Sequence, residues 1–168
     1  DINRLDMITK RLYQIGTNPE LTPINIIPII EGAMNYLCSR SSKKVIYDIN
    51  LPKEEEIILP INQCLLEWVL ENLSKNAIDA MGGIGTLSLE MSQDNKRVII
   101  DISDTGKGMQ KKEFKKIFEA GYTTKERGWG MGLSLAKRII EEYHHGKIFV
   151  KQSVIGKGTT FRIMLKKL

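Results

Sequence analysis

The sequence predicts an α+β two-layer sandwich, a mixed, mainly antiparallel sheet of about five strands with about three helices on one face. Three observations point there. Leu87, Leu89 and Met91 alternate with polar residues, Asp94-Asn95 makes a turn, and Val98, Ile100 and Ile102 alternate again, the pattern of a β-hairpin. A second pair, Ile148 and Val150 with Phe161, Ile163 and Leu165, is joined through Gly156-Lys157-Gly158. Before and between these pairs the apolar residues step by three and four, the helical period.

Taken in order, Ile2, Leu5, Ile8, Leu12 and Ile15 form a helical stripe that Gly16-Thr-Asn-Pro19 stops. One stripe needs one partner surface. Packing onto the chain's own core and continuation of a coiled-coil or bundle helix from upstream both satisfy it. Asn25 to Cys38 reads as a helix after Pro23, and Val45, Tyr47 and Ile49 as a strand before Pro52. Ile61 to Met81 reads as a longer helix ended by Gly82-Gly83. Residues 111–117 form a short helix and 118–131 a loop. Gly132 to Tyr143 is a further helix, ended by His145-Gly146. No repeat or low-complexity tract interrupts the pattern.

The 168 residues suffice for one domain with a sizeable core, and 42% apolar with 27% charged residues is an ordinary globular composition. No apolar run approaches the roughly 20 residues that span a bilayer, and no signal peptide is expected within these residues. The net charge of +5 is spread from Arg4 to Lys167, a solvated surface rather than a nucleic-acid footprint. Cys38 and Cys64 fit no metal or redox spacing, so two free thiols in a reducing cytosol are expected. The first residue is Asp1, already within a helical pattern, so the chain is expected to be a piece of something longer.

Asn72 and Asn76 lie four apart on the long helix, so they share a face, and Asp79 follows one turn on. Such a stripe is either an exposed polar face or the wall of a filled cleft. The rest of the helix, with Leu65, Leu66, Val69, Leu70, Leu73, Ala77 and Ile78, is apolar almost all round and favours the cleft, since buried amides need partners. An asparagine carbonyl is a hard oxygen donor suited to magnesium shared with phosphates, which points to Asn76.

On the strand Val98 to Asp104 the even positions are apolar until the carboxylate at the end. A carboxylate accepts without donating, so Asp104 suits the exocyclic amine of adenine, and Gly106 and Gly108 let backbone approach a ring. Alone, Asp-Thr-Gly is only a turn signal. Gly128, Gly130 and Gly132 open a helix whose free N–H groups favour phosphate, though a flexible hinge has the same composition. The Walker pattern is absent, and the dinucleotide pattern breaks at Leu133.

The order of these motifs resembles the catalytic, ATP-binding domain of sensor histidine kinases, within the superfamily of gyrase, heat-shock chaperone, histidine kinase and mismatch-repair ATPases. The likeness runs from about residue 22 to 168. It takes in Asn72 to Asn76, Asp104-x-Gly106-x-Gly108, Phe114-Lys-Lys-Ile-Phe118 continuing through Tyr122-Thr-Thr-Lys125, Gly128 to Leu133, and Gly156-Lys-Gly-Thr159.

The resemblance implies a Bergerat-type ATP-binding fold, ATP and Mg²⁺ as cofactors, and domain limits of 1–18 for the end of a dimerisation and phosphoacceptor helix and 19–168 for the catalytic domain. It implies that Asn76 coordinates magnesium, that Asn72 assists, and that Asp104 binds adenine. Gly106, Gly108, Met109, Gly128, Gly130, Met131, Gly132 and Leu133 line the nucleotide. The loop from Phe118 to Gly132 would be a mobile lid, with Lys125 a phosphate contact. Thr159 shares strand parity with Phe161, so its hydroxyl can face the base, and Ile102 is either apolar area around the base or plain core. Asp79 departs from a lysine found there in many members, which removes a phosphate contact.

Superfamily hydrolases carry a glutamate general base four residues before the magnesium asparagine, where this chain has Asn72. Glu71 is adjacent but turned by about 100 degrees, and is expected to be a bystander. The implied activity is a protein histidine kinase that transfers the γ-phosphate to a histidine on an upstream helical hairpin outside this chain. Only His144 and His145 occur here, where the family has no acceptor. An ATP hydrolase and a non-catalytic docking module stand as alternatives. Expected partners are the dimerisation domain and a response-regulator receiver domain. The intact protein is expected to be a homodimer, this piece a monomer, and nucleic acid not a partner. The expected location is cytoplasmic, with any membrane anchor expected upstream.

Overall fold

The computed structural model describes residues 19–53, 55–122 and 132–168. The first element was not foreseen. Strand β1 (Thr22–Asn25) pairs antiparallel with β3 (Ile58–Ile61), Thr22 facing Ile61 and Pro23 facing Pro60. Proline cannot donate to a ladder, but each strand of a two-stranded ribbon has an open edge that tolerates it. Asn25 does not open the next helix, as expected, but caps it. Its Oδ1 accepts from Ile27 N at 3.2 Å and Ile57 N at 3.1 Å, so helix α1 runs Ile26–Arg40.

Strand β2 (Val45–Asn50) lies parallel to β4 (Gly85–Gln93). Helix α2 (Gln63–Ala80) begins two residues later than expected, because Ile61 ends β3 and Asn62 turns the chain and caps the helix, accepting from Leu65 N at 3.1 Å. It ends in Gly82 and Gly83, both at positive φ. The hairpin of β4 with β5 (Arg97–Ser103) is as predicted. Asp94 holds its turn by accepting from Lys96 N at 2.8 Å and Arg97 N at 2.7 Å. Strand β5 stops at Ser103, so Asp104 stands just beyond the sheet.

Residues 111–117 are not one helix but two 3₁₀ turns, Lys111–Glu113 and Lys116–Phe118. Helix α3 (Gly132–Arg138) continues as a π turn over Ile139–Tyr143 where an unbroken α-helix was expected. His144 N donates to Ile139 O at 3.1 Å, five residues back, and sets the wider pitch. Strands β6 (Lys147–Val154) and β7 (Gly158–Lys166) form the last pair, with a bulge between Val150 and Gln152.

The five-stranded sheet has the order β2-β4-β5-β7-β6, antiparallel except at β2 and β4. One face carries Leu87, Leu89, Met91, Val98, Ile100, Ile102, Ile148, Val150, Phe161, Ile163 and Leu165, all buried against the helices. On the other face Asp101 and Arg162 are register partners and form two parallel bonds of 2.8 and 2.9 Å. The expected α+β sandwich is the fold observed. No described helix is long and apolar enough to cross a membrane.

Candidate functional site

The apolar side of α2, with Leu66, Val69, Leu70, Leu73 and Ala77, is buried in the core, and this turns Asn72 and Asn76 to the opposite, half-buried edge. Asn72 Nδ2 is buried and, among the described residues, is the one buried side-chain nitrogen or oxygen without a hydrogen-bond partner. Leaving such a group unmet costs about 1–3 kcal/mol. Gly132, the first residue of α3, closes directly onto this amide, for a Cβ there would stand 2.7 Å from Asn72 Oδ1. Asp79 is exposed, whereas Glu71 is turned aside and buried at 4% exposure.

Asp104 is 8% exposed. Its Oδ1 accepts from Gly106 N at 2.8 Å and Thr159 N at 3.2 Å. Burial raises the carboxyl's pKa above its ordinary value, and the two backbone N–H groups offset only part of this. Gly106 lies so close to the end of α2 that a Cβ would be 2.5 Å from Ala80 O. Lys107 N donates to the same carbonyl at 3.0 Å. Gly108 has φ 70°, and a Cβ there would strike the Val154 carbonyl. Met109, half-buried, donates its N–H to Ser153 Oγ at 2.8 Å. The loop 104–109 is thus fastened to α2, β6 and β7.

Thr159 reaches Asp104 through its backbone N–H, while its hydroxyl is shared with Ser153 Oγ at 2.7 Å. Ile102 is core, at 1% exposure. Leu133 is half-buried and packs against the core. Lys125, Gly128, Gly130 and Met131 lie outside the described residues, as does the stripe from Ile2 to Ile15. Sequence reasoning missed Ser153, because the bulge before it resets the strand's alternation and only then brings it opposite Thr159. It also missed the contact between His144 and Asn62, which no local pattern signals.

One helix thus carries both parts: Gly132 closes on the unmet Asn72 amide, one turn before Asn76, and the loop that holds the buried Asp104 carboxylate packs Gly106 on the helix's last turn. Among the described residues no group of three or more His, Cys, Asp or Glu side chains could hold a metal unaided.

Comparison with known proteins identifies the family and the fold. The profile of the family described as histidine kinase-, DNA gyrase B- and HSP90-like ATPase matches residues 62–168. The sensor histidine kinase ZraS of Salmonella typhimurium is 34% identical over 168 residues, covering 98% of this chain and 36% of that protein. The chain therefore spans about a third of that curated relative. The catalytic domain of histidine kinase ThkA superposes with a TM-score of 0.79 at 26% identity, covering 89% of this chain and 97% of that one. ThkA in complex with the response regulator TrrA gives a TM-score of 0.79 at 24% identity, over 99% of this chain and 48% of that one. The chain belongs to the histidine kinase-, DNA gyrase B- and HSP90-like ATPase family, and its fold is that of a histidine kinase catalytic, ATP-binding domain.

Proposed function

We propose that this chain binds Mg-ATP and donates the γ-phosphate to a histidine outside residues 1–168, as the catalytic domain of a two-component sensor kinase. The observation that carries the reading is Asn72 Nδ2, a buried donor without an acceptor beside the glycine that opens α3. A phosphate oxygen meets that need. A glutamate in its place would be an acceptor suited to activating water, so the amide favours transfer over hydrolysis.

Asp104 accepts the adenine amine with the oxygen that Gly106 and Thr159 leave free. Asn76 would supply one oxygen to magnesium. Its fit is that of a cation held by one or two protein groups and completed by phosphates and water, as magnesium prefers. The ion's chemistry is neutralisation of phosphate charge. Phosphoryl transfer asks the protein chiefly for positioning, which is what the fastened 104–109 loop provides. Lys125, Gly128, Gly130 and Met131 are proposed phosphate contacts on charge and motif alone.

The acceptor is proposed to lie on a dimerisation hairpin ending near residues 1–18, because His144 is buried at 4% exposure with both ring nitrogens bonded, and exposed His145 follows it at the Asn62 end of α2, ten residues from Asn72. A response-regulator receiver domain as the next partner, a homodimeric intact protein and a cytoplasmic location complete the proposal. The experiment is incubation of this chain with γ-labelled ATP, alone and with the segment preceding it supplied separately. Label should appear on a histidine of the added segment and not on this chain. Label on His144 or His145, or none on either polypeptide, would contradict the reading.

A further inference from the structure

Helices α2 and α3 meet at two places. At one end Gly132 closes on Asn72. Twelve residues further along α3 and ten residues back along α2, roughly 15 Å at 1.5 Å per residue, the Asn62 backbone N–H donates to His144 Nε2 at 3.0 Å. The two helices therefore run antiparallel between these contacts.

The second contact fixes the histidine's chemistry. Because Nε2 accepts, Nδ1 carries the proton and donates to Ile139 O at 2.9 Å. Ile139 O also accepts from His144 N at 3.1 Å, so one carbonyl is held twice and the turn is kept at π width. Burial lowers the His144 pKa, the Ile139 bond opposing in part and neighbouring His145 adding to the lowering. Asn62 is held from its other side too, since Nδ2 donates to Glu20 O at 3.2 Å and Oδ1 accepts from Leu65 N. At 4% exposure, His144 is largely shut off from solvent that could replace a lost partner.

The hydrogen bond of a π turn spans one residue more than that of an α turn, and such turns are uncommon unless the surroundings hold them. Relaxation to α pitch would advance the helix by about 1.5 Å and rotate it by about 100 degrees. Such a change at the far end of α3 would carry Gly132 off Asn72.

We propose that His144 is a positioning residue. Its bonds to Asn62 and Ile139 set the register of α3 on α2, and so place the glycine end of α3 against Asn72 where the phosphates sit. The inference rests on the reading of that end as the phosphate side of the cleft. Adenine recognition at Asp104 stands on β5, β7 and the end of α2 and does not depend on this register.

The test compares two ligands by calorimetry in magnesium, a non-hydrolysable ATP analogue and adenosine, the latter lacking every phosphate. His144→Phe keeps a ring but loses both nitrogens. It is expected to weaken the analogue about tenfold, the worth of one to two hydrogen bonds, and adenosine by less than about twofold. His144→Gln, whose side-chain oxygen can accept from Asn62 N, should recover most of the loss. Should His144→Phe fail to fold, His144→Leu is read the same way. An unchanged ratio of the two affinities in a folded variant, or equal weakening of both ligands, overturns the proposal. Wild-type protein that binds the analogue no tighter than adenosine overturns instead the phosphate reading beneath it.

Discussion

Asp104 and Thr159 are tied twice. Asp104 N donates to Thr159 O at 2.9 Å, and Thr159 N donates to Asp104 Oδ1 at 3.2 Å. This joins the end of β5 to the start of β7 and fixes the carboxylate that is proposed to meet adenine.

That carboxylate is costly without nucleotide. Its folded pKa is raised by burial above the unfolded value, so the favourable protonated state is lost as pH rises through the folded pKa, and at neutral pH the ionised form destabilises the protein. Asp104→Asn keeps an oxygen for Gly106 and Thr159 and removes the charge. In the absence of nucleotide the variant should melt a few degrees higher than wild type at pH 7, and the difference should shrink towards acid. A variant that melts lower at neutral pH would contradict this.

The approach of β7 to Asp104 requires glycine. Gly158 has φ 116° and a Cβ there would strike the Asp104 carbonyl, whereas Gly156 has φ 81° with nothing within 4 Å. Gly156→Ala should cost only the backbone term, about 1–2 kcal/mol. Gly158→Ala should cost distinctly more and weaken nucleotide binding as well. Urea midpoints of the two variants read this, and equal losses would show that the approach is not close.

His144 predicts an acid sensitivity. Its folded pKa is depressed below the ordinary 6.5 by burial, so its contribution is complete above that value and is lost as pH falls below it. The stability difference between wild type and His144→Gln should narrow as pH is lowered from about 7.5 to about 5.5. A difference that does not change with pH would mean that His144 is not held neutral.

Glu71, though buried, is not in the position of a water-activating base. This chain alone with Mg-ATP should release no steady phosphate, and Glu71→Gln should change nothing in that assay. Sustained release abolished by Glu71→Gln would make the protein a hydrolase.

Much of this was legible because it is local. Alternation in Leu87 to Met91 and Val98 to Ile102, with Asp94 between, names its own hairpin, and the spacing of Asn72 and Asn76 on an otherwise apolar helix names a wall. What could not be read depends on distant partners. The ribbon of β1 and β3 contains prolines that argue against strands, and it forms because two otherwise unpaired segments meet. The parallel pairing of β2 with β4 crosses a whole helix. The π turn follows from a histidine that finds a backbone amide 82 residues away. Asn25 and Asn62 read as first-turn residues of their helices, and their capping roles follow from chain turns set by the ribbon.

Recognition of adenine and phosphate by one site is read by titration calorimetry with a non-hydrolysable ATP analogue in magnesium. Wild-type protein should bind one equivalent, Asn76→Ala should bind more weakly, and Asp104→Asn, though folded, should show no measurable binding. Unchanged affinity in Asp104→Asn would contradict the account.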